Sequence, residues 1–352
     1  MGNTDDRTHT YFTGMFPDEI SNFISDQPPF RGKQIFSWIY KGARVFEEMS
    51  NLPKQLRTRL KSYTSLFSSK TIDTVTDKQD GTKKNLIQLK DGNTVESVLL
   101  SDGKERLTAC ISTQVGCAMG CSFCQTGQAG FIRNLETYEI IEQYLLLSHD
   151  IQTDISNIVY MGMGEPLLNY DNVIKSVNVL AHPDGRAMST RRITISTCGI
   201  PHKIKQLAEE PIQTKLALSL STADSKLRKN LMPITEKYSL KDVKDSLIYF
   251  QQIKNKRITL EMVLLGEENT RNKDIEALKE FTSGLKVLVN IIPWNPTAAI
   301  NHKGPTEAEI KQVSAKLDEY KIPYTIRRHK GRNVDGACGQ LKHRLIQSQE
   351  QL

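Results

Sequence analysis

Apolar residues near the start of the chain recur with the spacing of an α-helix. Ile35, Trp38 and Ile39 fall on one side of a predicted helix, and basic groups fall on another. This pattern predicts a small helical domain over residues 15–70. Residues 1–14 lack the pattern and are predicted to be a disordered tail.

Beyond residue 70 the apolar positions alternate as in β-strands. The runs 85–89 and 94–100 have this alternation, and Asp-Gly dipeptides beside them are typical of hairpin turns. Residues 71–108 are therefore predicted to form a β-strand extension. Its strands lead directly into Cys110.

From Cys110 onwards, apolar strand candidates alternate with helical patterns. The strand candidates are 155–163, 192–197, 214–221, 257–265, 286–293 and 322–328, and the helical candidates are 137–150, 170–181, 201–209, 239–252, 271–283 and 306–320. This alternation is typical of an α/β fold with a parallel sheet. A closed barrel needs eight units, so residues 109–345 are predicted to form an open, partial (β/α)6 barrel with its functional site at the carboxyl ends of the strands.

Composition narrows the class of protein. Of 352 residues, 38% are hydrophobic, and the net charge of +7 permits nucleic-acid binding without requiring it. The sequence has no apolar run of membrane-spanning length and no signal-peptide core. Six cysteines in this length are not a secreted disulfide framework. A cytoplasmic protein is expected.

Cys117, Cys121 and Cys124 have the spacing C-x3-C-x2-C. Three thiolates on one loop can hold three irons of a [4Fe-4S] cluster and leave the fourth iron open, whereas electron carriers supply four cysteines. Zinc sites use a second cysteine or histidine pair, which is not found nearby. Gly116 and Gly120 allow the backbone to fold tightly around a bulky cofactor. The spacing predicts a cluster with an open iron.

Further candidates fall where predicted strands end. Gly164 and Glu165 follow one strand, where a small residue lets a ligand approach and a carboxylate can pair with an ammonium group. Hydroxyl and amide groups suited to carboxylate and ribose contacts follow other strands, at Ser196, Ser219-Leu220-Ser221 and Asn295. Turn formation and strand-end capping explain the same residues, and the pattern alone leaves both explanations open.

Three more cysteines and one acid lie outside the cluster motif. Cys110 and Cys338 fit either reactive thiols or buried apolar side chains, and Cys198 is predicted to be a packed thiol. Glu96 is predicted to lie on a strand near the site, although the pattern favours a surface position over a catalytic one.

Five motifs occur together in a fixed order: Cys110 to Cys117, Gly130 to Leu135, Gly162 to Asn169, Leu231 to Pro233 and Asp335 to Leu341. With the cysteine spacing, they resemble the RlmN/Cfr family of radical S-adenosylmethionine (SAM) enzymes. These enzymes methylate adenosine in large-subunit rRNA. The resemblance covers nearly the whole chain and implies the partial barrel with an added N-terminal domain.

The resemblance implies a cofactor set and a mechanism. Cys117, Cys121 and Cys124 bind the cluster, and the SAM contacts fall at Gly164, Glu165, Ser196, Ser219, Leu220, Ser221 and Asn295. One SAM methylates Cys338, and a second is cleaved to a radical that activates this methyl group, giving two SAM per turnover. Glu96 accepts the ring proton. Cys110 then releases the product by forming a transient disulfide with Cys338.

The implied partners are 23S rRNA in an unfolded or unassembled form, tRNA, and a flavodoxin- or ferredoxin-type reductant. A monomer without membrane contact is expected. Basic residues of the helical domain and of the tail, Arg327, Arg328, Lys330 and Arg332, are predicted to contact RNA phosphates.

The sequence departs from the family pattern at three places. Glu96 lies one residue further from Cys110 than is usual in the family. Ser221 stands where histidine is usual, and Cys198 stands where the family does not usually have cysteine. The motifs favour the branch that methylates carbon 2 of adenine in rRNA and tRNA. The alternatives are the carbon-8 branch, which confers antibiotic resistance, a radical SAM protein activase, and a non-catalytic RNA-binding protein with a structural cluster.

Overall fold

The structure, a computed structural model, describes residues 10–101, 106–149, 151, 154–296, 300–327 and 340–341. Cys338, Arg328, Lys330 and Arg332 therefore lie outside the described residues, and so does most of the predicted tail.

Three helices, α1 (Pro17–Phe23), α2 (Phe30–Tyr40) and α3 (Lys54–Tyr63), form the N-terminal domain. Ile35 and Ile39 of α2 are fully buried, as their spacing predicts. Trp38 is only half-buried, because its indole nitrogen donates a hydrogen bond to Asn51 at the surface.

The predicted tail ends too late in the sequence. Residues 12–14 form a short 3-10 helix, and Phe12 is completely buried. The Phe12 ring packs edge-on against Phe23 and Phe46. A segment this short has no measurable hydrophobic period, so its sequence does not reveal that it is buried. Its burial comes from packing against aromatic side chains elsewhere in the N-terminal domain.

The β-extension consists of strands β1 (Lys70–Thr76), β2 (Lys83–Gln88) and β3 (Thr94–Ser101), and it joins β4 (Leu107–Cys110) in one antiparallel series. Gly81 and Gly92 have φ angles of +73° and +84° in the predicted turns. β4 also pairs in parallel with the next strand of the barrel, so the extension and the barrel share one sheet.

The barrel confirms the predicted α/β fold class. Its strands follow β4 as β7 (Ile155–Tyr160), β8 (Ile193–Thr197), β9 (Lys215–Ser219), β10 (Ile258–Leu264), β11 (Val287–Pro293) and β12 (Tyr324–Ile326). The intervening helices are α5 (Thr137–His149), α6 (Tyr170–Ala181), α7 (Pro201–Glu209), α9 (Leu240–Lys254), α10 (Asn272–Thr282) and α11 (Glu307–Glu319). Among the described strands, the sheet runs from β1 to β12 without closing.

Four short elements were not predicted. Strands β5 (Gln114–Gly116) and β6 (Phe131–Asn134) form a hairpin around the cysteine motif, which also contains helix α4 (Gln125–Gln128). Helix α8 (Ser225–Leu231) precedes α9, and Asp224 caps its first turn by accepting a hydrogen bond from the Leu227 amide. All are shorter than the windows in which a period can be recognised.

Across the part of the chain that the structure covers, the helices lack the length and apolar character needed to cross a membrane.

Candidate functional site

The register of the parallel strands determines which side chains face the inside of the barrel. Ser219 is aligned with Glu261, and Glu261 is aligned with Asn290. Aligned side chains point to the same face of a sheet. Ser196, Ser219 and Glu261 line a cavity at the carboxyl ends of the strands, here called the upper cavity.

The three motif cysteines line the upper cavity together. The β5–β6 hairpin positions the first of them, because the Cys117 amide donates a hydrogen bond of 2.7 Å to the Gly130 carbonyl. Gly116 makes this approach possible: its φ is +73°, and a Cβ there would lie 1.9 Å from the Gly130 oxygen. The Cys124 amide donates to the Cys121 carbonyl, which closes the loop.

The thiols differ in acidity. Burial raises the pKa of Cys117 to about 12 and that of Cys124 to about 11. The neighbouring Cys198 thiol donates a hydrogen bond to Cys121 and lowers the pKa of Cys121, with a further contribution from the charge of Arg228. Cluster binding requires all three cysteines as thiolates, but burial disfavours these negative charges. The positive charge of bound iron would therefore have to stabilise the thiolates.

The three-thiol donor set fits a multi-iron cluster better than a single ion. In the described residues, no group of three or more His, Cys, Asp and Glu side chains is arranged to hold one metal ion. Thiols that bind different irons of a cluster need not converge on one point. Their shared position around one cavity is therefore consistent with the predicted [4Fe-4S] site.

Glu165 lies in the same cavity and is almost fully buried. Its two carboxylate oxygens accept hydrogen bonds from the Cys198 and Leu167 amides at 2.7 and 3.1 Å. Burial raises the pKa of Glu165, and these amide donors oppose the rise. A buried carboxylate on the cavity wall is chemically suited to a ligand ammonium group.

Gly164 supports this position. Its φ is +102°, and a Cβ there would lie 2.6 Å from the side chain of Gln114. Gln114 in turn accepts a hydrogen bond from the Glu165 amide. The glycine therefore brings the strand end against the cluster hairpin.

Ser221, which stands where histidine is usual in the family, offers its side chain to the upper cavity. The backbone amides of Leu220 and Ser221 both donate to the Glu261 carbonyl, so these amides are already used within the protein. The Ser221 hydroxyl is buried at the cavity wall and has no hydrogen-bond partner among the described residues. Its φ of +55° is unusual for serine. The side chain, not the backbone, is thus the group available to a ligand.

The structure places the other predicted SAM contacts unequally. The hydroxyls of Ser196 and Ser219 lie 3.3 Å apart on the cavity wall. Asn295 is half-buried and is not among the described residues that line the cavity. Its neighbour Trp294 lines the cavity instead and donates a hydrogen bond to the Phe123 carbonyl.

Glu96 is buried, so the expectation of a surface position is wrong. Its carboxylate forms an ion pair of 2.9 Å with Lys84, and both side chains are less than 5% exposed. Val98 is paired with Cys110, and Glu96 lies two residues earlier on the same strand. Alternation therefore places Glu96 and Cys110 on one face of the sheet. The burial depends on β2, which provides Lys84 from a separate strand.

Two residues of the site were not identified from the sequence. Cys198, predicted to be a packed thiol, lines the upper cavity beside Cys121. Arg228 of α8 is fully buried and donates hydrogen bonds to the carbonyls of Leu220, Cys198 and Ser219 and to the Thr235 hydroxyl. Arg228 lies three residues before the Leu231-Met-Pro233 motif in the sequence. This position is the one local signal that could have indicated a role for Arg228 in the site.

Comparisons with known proteins agree with this geometry. A radical SAM superfamily profile matches residues 111–282, and a profile described as the ribosomal RNA large subunit methyltransferase N-terminal domain matches residues 13–66. A Treponema pallidum protein named probable dual-specificity RNA methyltransferase RlmN is 44% identical over 94% of this chain and 96% of its own. The chain belongs to the RlmN family.

Another RlmN relative, from Treponema denticola, is 46% identical over 94% of this chain and 95% of its own length. The RlmN fold assignment also has structural support. The crystal structure of a radical SAM methyltransferase from Sphaerobacter thermophilus matches with a TM-score of 0.92 and 34% identity, covering 95% of this chain and 99% of that one. The predicted family and radical SAM enzyme class are therefore confirmed.

Proposed function

We propose that this RlmN-family radical SAM methyltransferase methylates carbon 2 of adenosine in 23S rRNA and in tRNA. The observation that carries the proposal is the convergence of Cys117, Cys121, Cys124 and Glu165 on one cavity in an RlmN chain. Relatives at 44–46% identity are named probable dual-specificity RNA methyltransferases RlmN, which supports more than one RNA substrate. The motifs Gly130 to Leu135 and Glu165 to Asn169 support carbon 2 over the carbon-8 branch.

The described residues suit the cofactors of this reaction. The three cysteines would hold a [4Fe-4S] cluster, and a bound cluster would supply the electron for reductive cleavage of SAM. Glu165 is available to the ammonium group of SAM, and the hydroxyls of Ser196, Ser219 and Ser221 are available to its carboxylate or ribose. The unpartnered Ser221 hydroxyl supports this assignment, because a buried polar group without a partner is costly.

Glu96 is proposed as the proton acceptor. Lys84 fixes the carboxylate from one side, and the Glu96 amide is held by the Met163 sulfur. A buried, oriented carboxylate on the same face as Cys110 can accept a proton from a bound adenine ring without competition from water. The residue is close enough in strand position to act beside Cys110, despite its unusual sequence spacing.

Cys338 is proposed as the methyl carrier and Cys110 as the cysteine that resolves the protein–RNA adduct. Cys110 is buried on the interior face of β4, where a thiol is protected from other oxidants. Use of two SAM per turnover is part of this proposal. The monomeric state, the flavodoxin- or ferredoxin-type reductant and the cytoplasmic location stay predictions.

Analysis of modified nucleosides tests the proposal. The anaerobically reconstituted protein, given SAM, a low-potential reductant and rRNA or tRNA transcripts, is expected to produce 2-methyladenosine, identified by mass spectrometry and retention time. Cys110→Ala is expected to accumulate RNA covalently attached to protein, whereas Cys338→Ala should give neither product nor adduct. Production of 8-methyladenosine, or equal mild effects of both substitutions, would contradict the proposal.

A further inference from the structure

A second cavity, of about 880 Å³, lies inside the barrel at the opposite end from the cysteines. We call it the lower cavity. Its walls come from the beginnings of the strands: Arg106 precedes β4, Arg191 precedes β8, Lys215 starts β9 and Arg257 precedes β10. Its volume falls within the range of roughly 300–1,000 Å³ that is typical of ligand pockets.

We propose that the lower cavity binds phosphate groups of the RNA strand that carries the target adenosine. This inference rests on the proposed RNA substrate and assigns the route by which the substrate enters. The amino ends of barrel strands usually contribute stability, with ligands bound at the carboxyl ends. A charged cavity at the amino ends therefore needs its own explanation.

The charge of the lower cavity is strongly one-sided. Its described lining residues include six cations and one carboxylate, that of Glu261; the cations are Arg106, Arg191, Lys215, Lys256, Arg257 and Arg327. Like charges around one space repel one another, and an anion that enters the space relieves this repulsion. The local charge balance is thus suited to a polyanion.

Several of these cations are available to a ligand. The side chains of Arg191, Lys215 and Arg257 are exposed. Within the described part of the chain, no carboxylate lies at ion-pair distance from any of the three. In the N-terminal domain, by contrast, Arg59 pairs with Asp26 and Lys61 pairs with Glu47. Cationic side chains without carboxylate partners are thus found in the cavity, whereas these two basic groups of the helical domain are already paired.

Lys256 differs from the exposed cations because its ammonium group is hydrogen-bonded within the protein. Its ammonium group donates hydrogen bonds to the carbonyls of Gln213 and Thr214, which fixes the segment before β9. Burial, together with the nearby charge of Arg191, lowers the pKa of Lys256 to about 8. Burial is the larger cause of this lowered pKa, and the positive charges of Arg191 and Lys215 beside this cavity act in the same direction.

The lower cavity continues towards the cysteines. Met161 and Glu261 line both cavities, so these two side chains mark the boundary between them. Below them the wall carries the hydroxyls of Thr108, Thr194 and Thr259 as well as apolar side chains such as Val159 and Leu288. These side chains leave an open space where a closed barrel is filled by packed layers. A base that enters from below can therefore approach the upper cavity while its backbone phosphates stay among the cations.

This geometry selects single-stranded RNA over a duplex. A base can reach the boundary at Glu261 only when it is unpaired and unstacked from its neighbours. The chemistry that the cavity recognises is the phosphate group, which a phosphodiester strand and a free nucleotide share. The position of the cavity below the cluster site favours the strand, since its target base must extend upwards.

A matched pair of double variants tests the inference. Arg191→Gln with Arg257→Gln removes two charges from the lower cavity. Lys273→Gln with Lys311→Gln removes two exposed charges from the outer helices α10 and α11. Binding of the reconstituted proteins to a labelled single-stranded rRNA fragment is measured by fluorescence anisotropy over a range of salt concentrations. Thermal unfolding and iron content of each variant verify that it is folded.

The cavity variant is expected to reduce the slope of log affinity against log salt by about 1.4, the value for two lost single-strand phosphate contacts at about 0.7 each. The control variant is expected to leave the slope at the wild-type value. Equal slopes for both variants would overturn the inference, because the effect would then be one of net charge alone.

Competition with adenosine 5′-monophosphate distinguishes the two sources of phosphate. The inference requires that millimolar nucleotide does not displace the RNA fragment from the wild-type protein. Displacement by micromolar nucleotide would assign the cavity to a free nucleotide and overturn the inference. Because binding is measured without turnover, a protein that fails to make 2-methyladenosine but shows the slope change would contradict the proposed function and not the cavity assignment.

Discussion

At the residue scale, Arg228 is the buried side chain that organises the wall of the upper cavity. Its guanidinium spans carbonyls at the carboxyl ends of β8 and β9, those of Cys198, Ser219 and Leu220. Among the described residues no carboxylate pairs with it, so its hydrogen bonds go to backbone and hydroxyl oxygens. The rigid fork of arginine matches several fixed acceptors at once, which a lysine ammonium cannot do.

We predict that Arg228→Met and Arg228→Lys both lower stability and SAM affinity, by similar amounts. Each removes the guanidinium donors: the Leu220 carbonyl keeps the Thr222 amide, but the Cys198 carbonyl loses its described donor. A buried polar group left without a partner costs about 1–3 kcal/mol. Thermal unfolding and equilibrium SAM binding of the reconstituted proteins measure the two effects. Near-complete recovery in Arg228→Lys would instead show that charge, not the geometry of the fork, is what matters.

At the element scale, the β5–β6 hairpin determines where the cysteine motif lies. The hairpin is held by Arg133, which bonds both oxygens of Glu139 on α5 at 2.7 and 2.8 Å and also contacts Asp91. The glycine at the end of β5 then lets the backbone of the two strands approach closely. The motif is therefore positioned by strand pairing as well as by its own loop.

We predict that Gly116→Ala loses most of the bound iron, whereas Gly120→Ala retains it. Both glycines have positive φ, at +73° and +62°, so alanine costs about 1–2 kcal/mol of backbone strain at either one. Only at Gly116 does the new Cβ meet a backbone oxygen, at 1.9 Å, while at Gly120 it meets Pro233 at 3.9 Å. Iron and sulfide analysis after reconstitution compares the two, and equal iron contents would argue against control by the hairpin.

At the scale of the whole molecule, Glu142 joins the N-terminal domain to the barrel. This buried acid of α5 accepts hydrogen bonds from Thr13, which precedes α1, and from Ser68 and Ser69, which precede β1. The four donors lie between 2.8 and 3.0 Å from its oxygens. A single carboxyl group therefore ties three separate segments together.

We predict a pH dependence of stability from this group. Burial raises the pKa of Glu142 from 4.5 to about 7, so between these values the folded protein keeps a proton that the unfolded chain releases. Its stabilising contribution is fully present below about pH 4.5 and is lost as the pH rises to about 7. The free energy of unfolding should fall by about 3 kcal/mol across this window, at about 1.4 kcal/mol per pH unit.

Urea unfolding of the reconstituted protein at several pH values tests this prediction. Glu142→Gln cannot titrate and should flatten the decline. The control, Glu19→Gln, removes a half-exposed ion pair with Lys175 at the same domain junction. It should change the unfolding free energy by less than about 1 kcal/mol. An unchanged pH slope in Glu142→Gln would reject the assignment of the slope to this group.

The sequence alone determined the longer strands and helices and the local cysteine motif. The alternation of strands and helices appears directly in the spacing of apolar residues, because each element must bury one face or both. The three cysteines and the two glycines beside them lie on one short loop, so their spacing already defines the possible ligand geometry. Strand ends were less certain, and the predicted strand 214–221 stops at Ser219 where the chain turns into the cavity wall.

The tertiary structure decided which polar residues are buried and what they face. The pairing of Glu96 with Lys84, the isolation of the Ser221 hydroxyl and the four acceptors of Arg228 each depend on strands or helices that are separate in sequence. The lower cavity likewise collects cations from the beginnings of different strands. The spacing of apolar residues along the sequence shows only which face of a strand or helix a residue lies on. The electrostatic environment of a side chain depends instead on distant segments that folding brings to within a few ångströms.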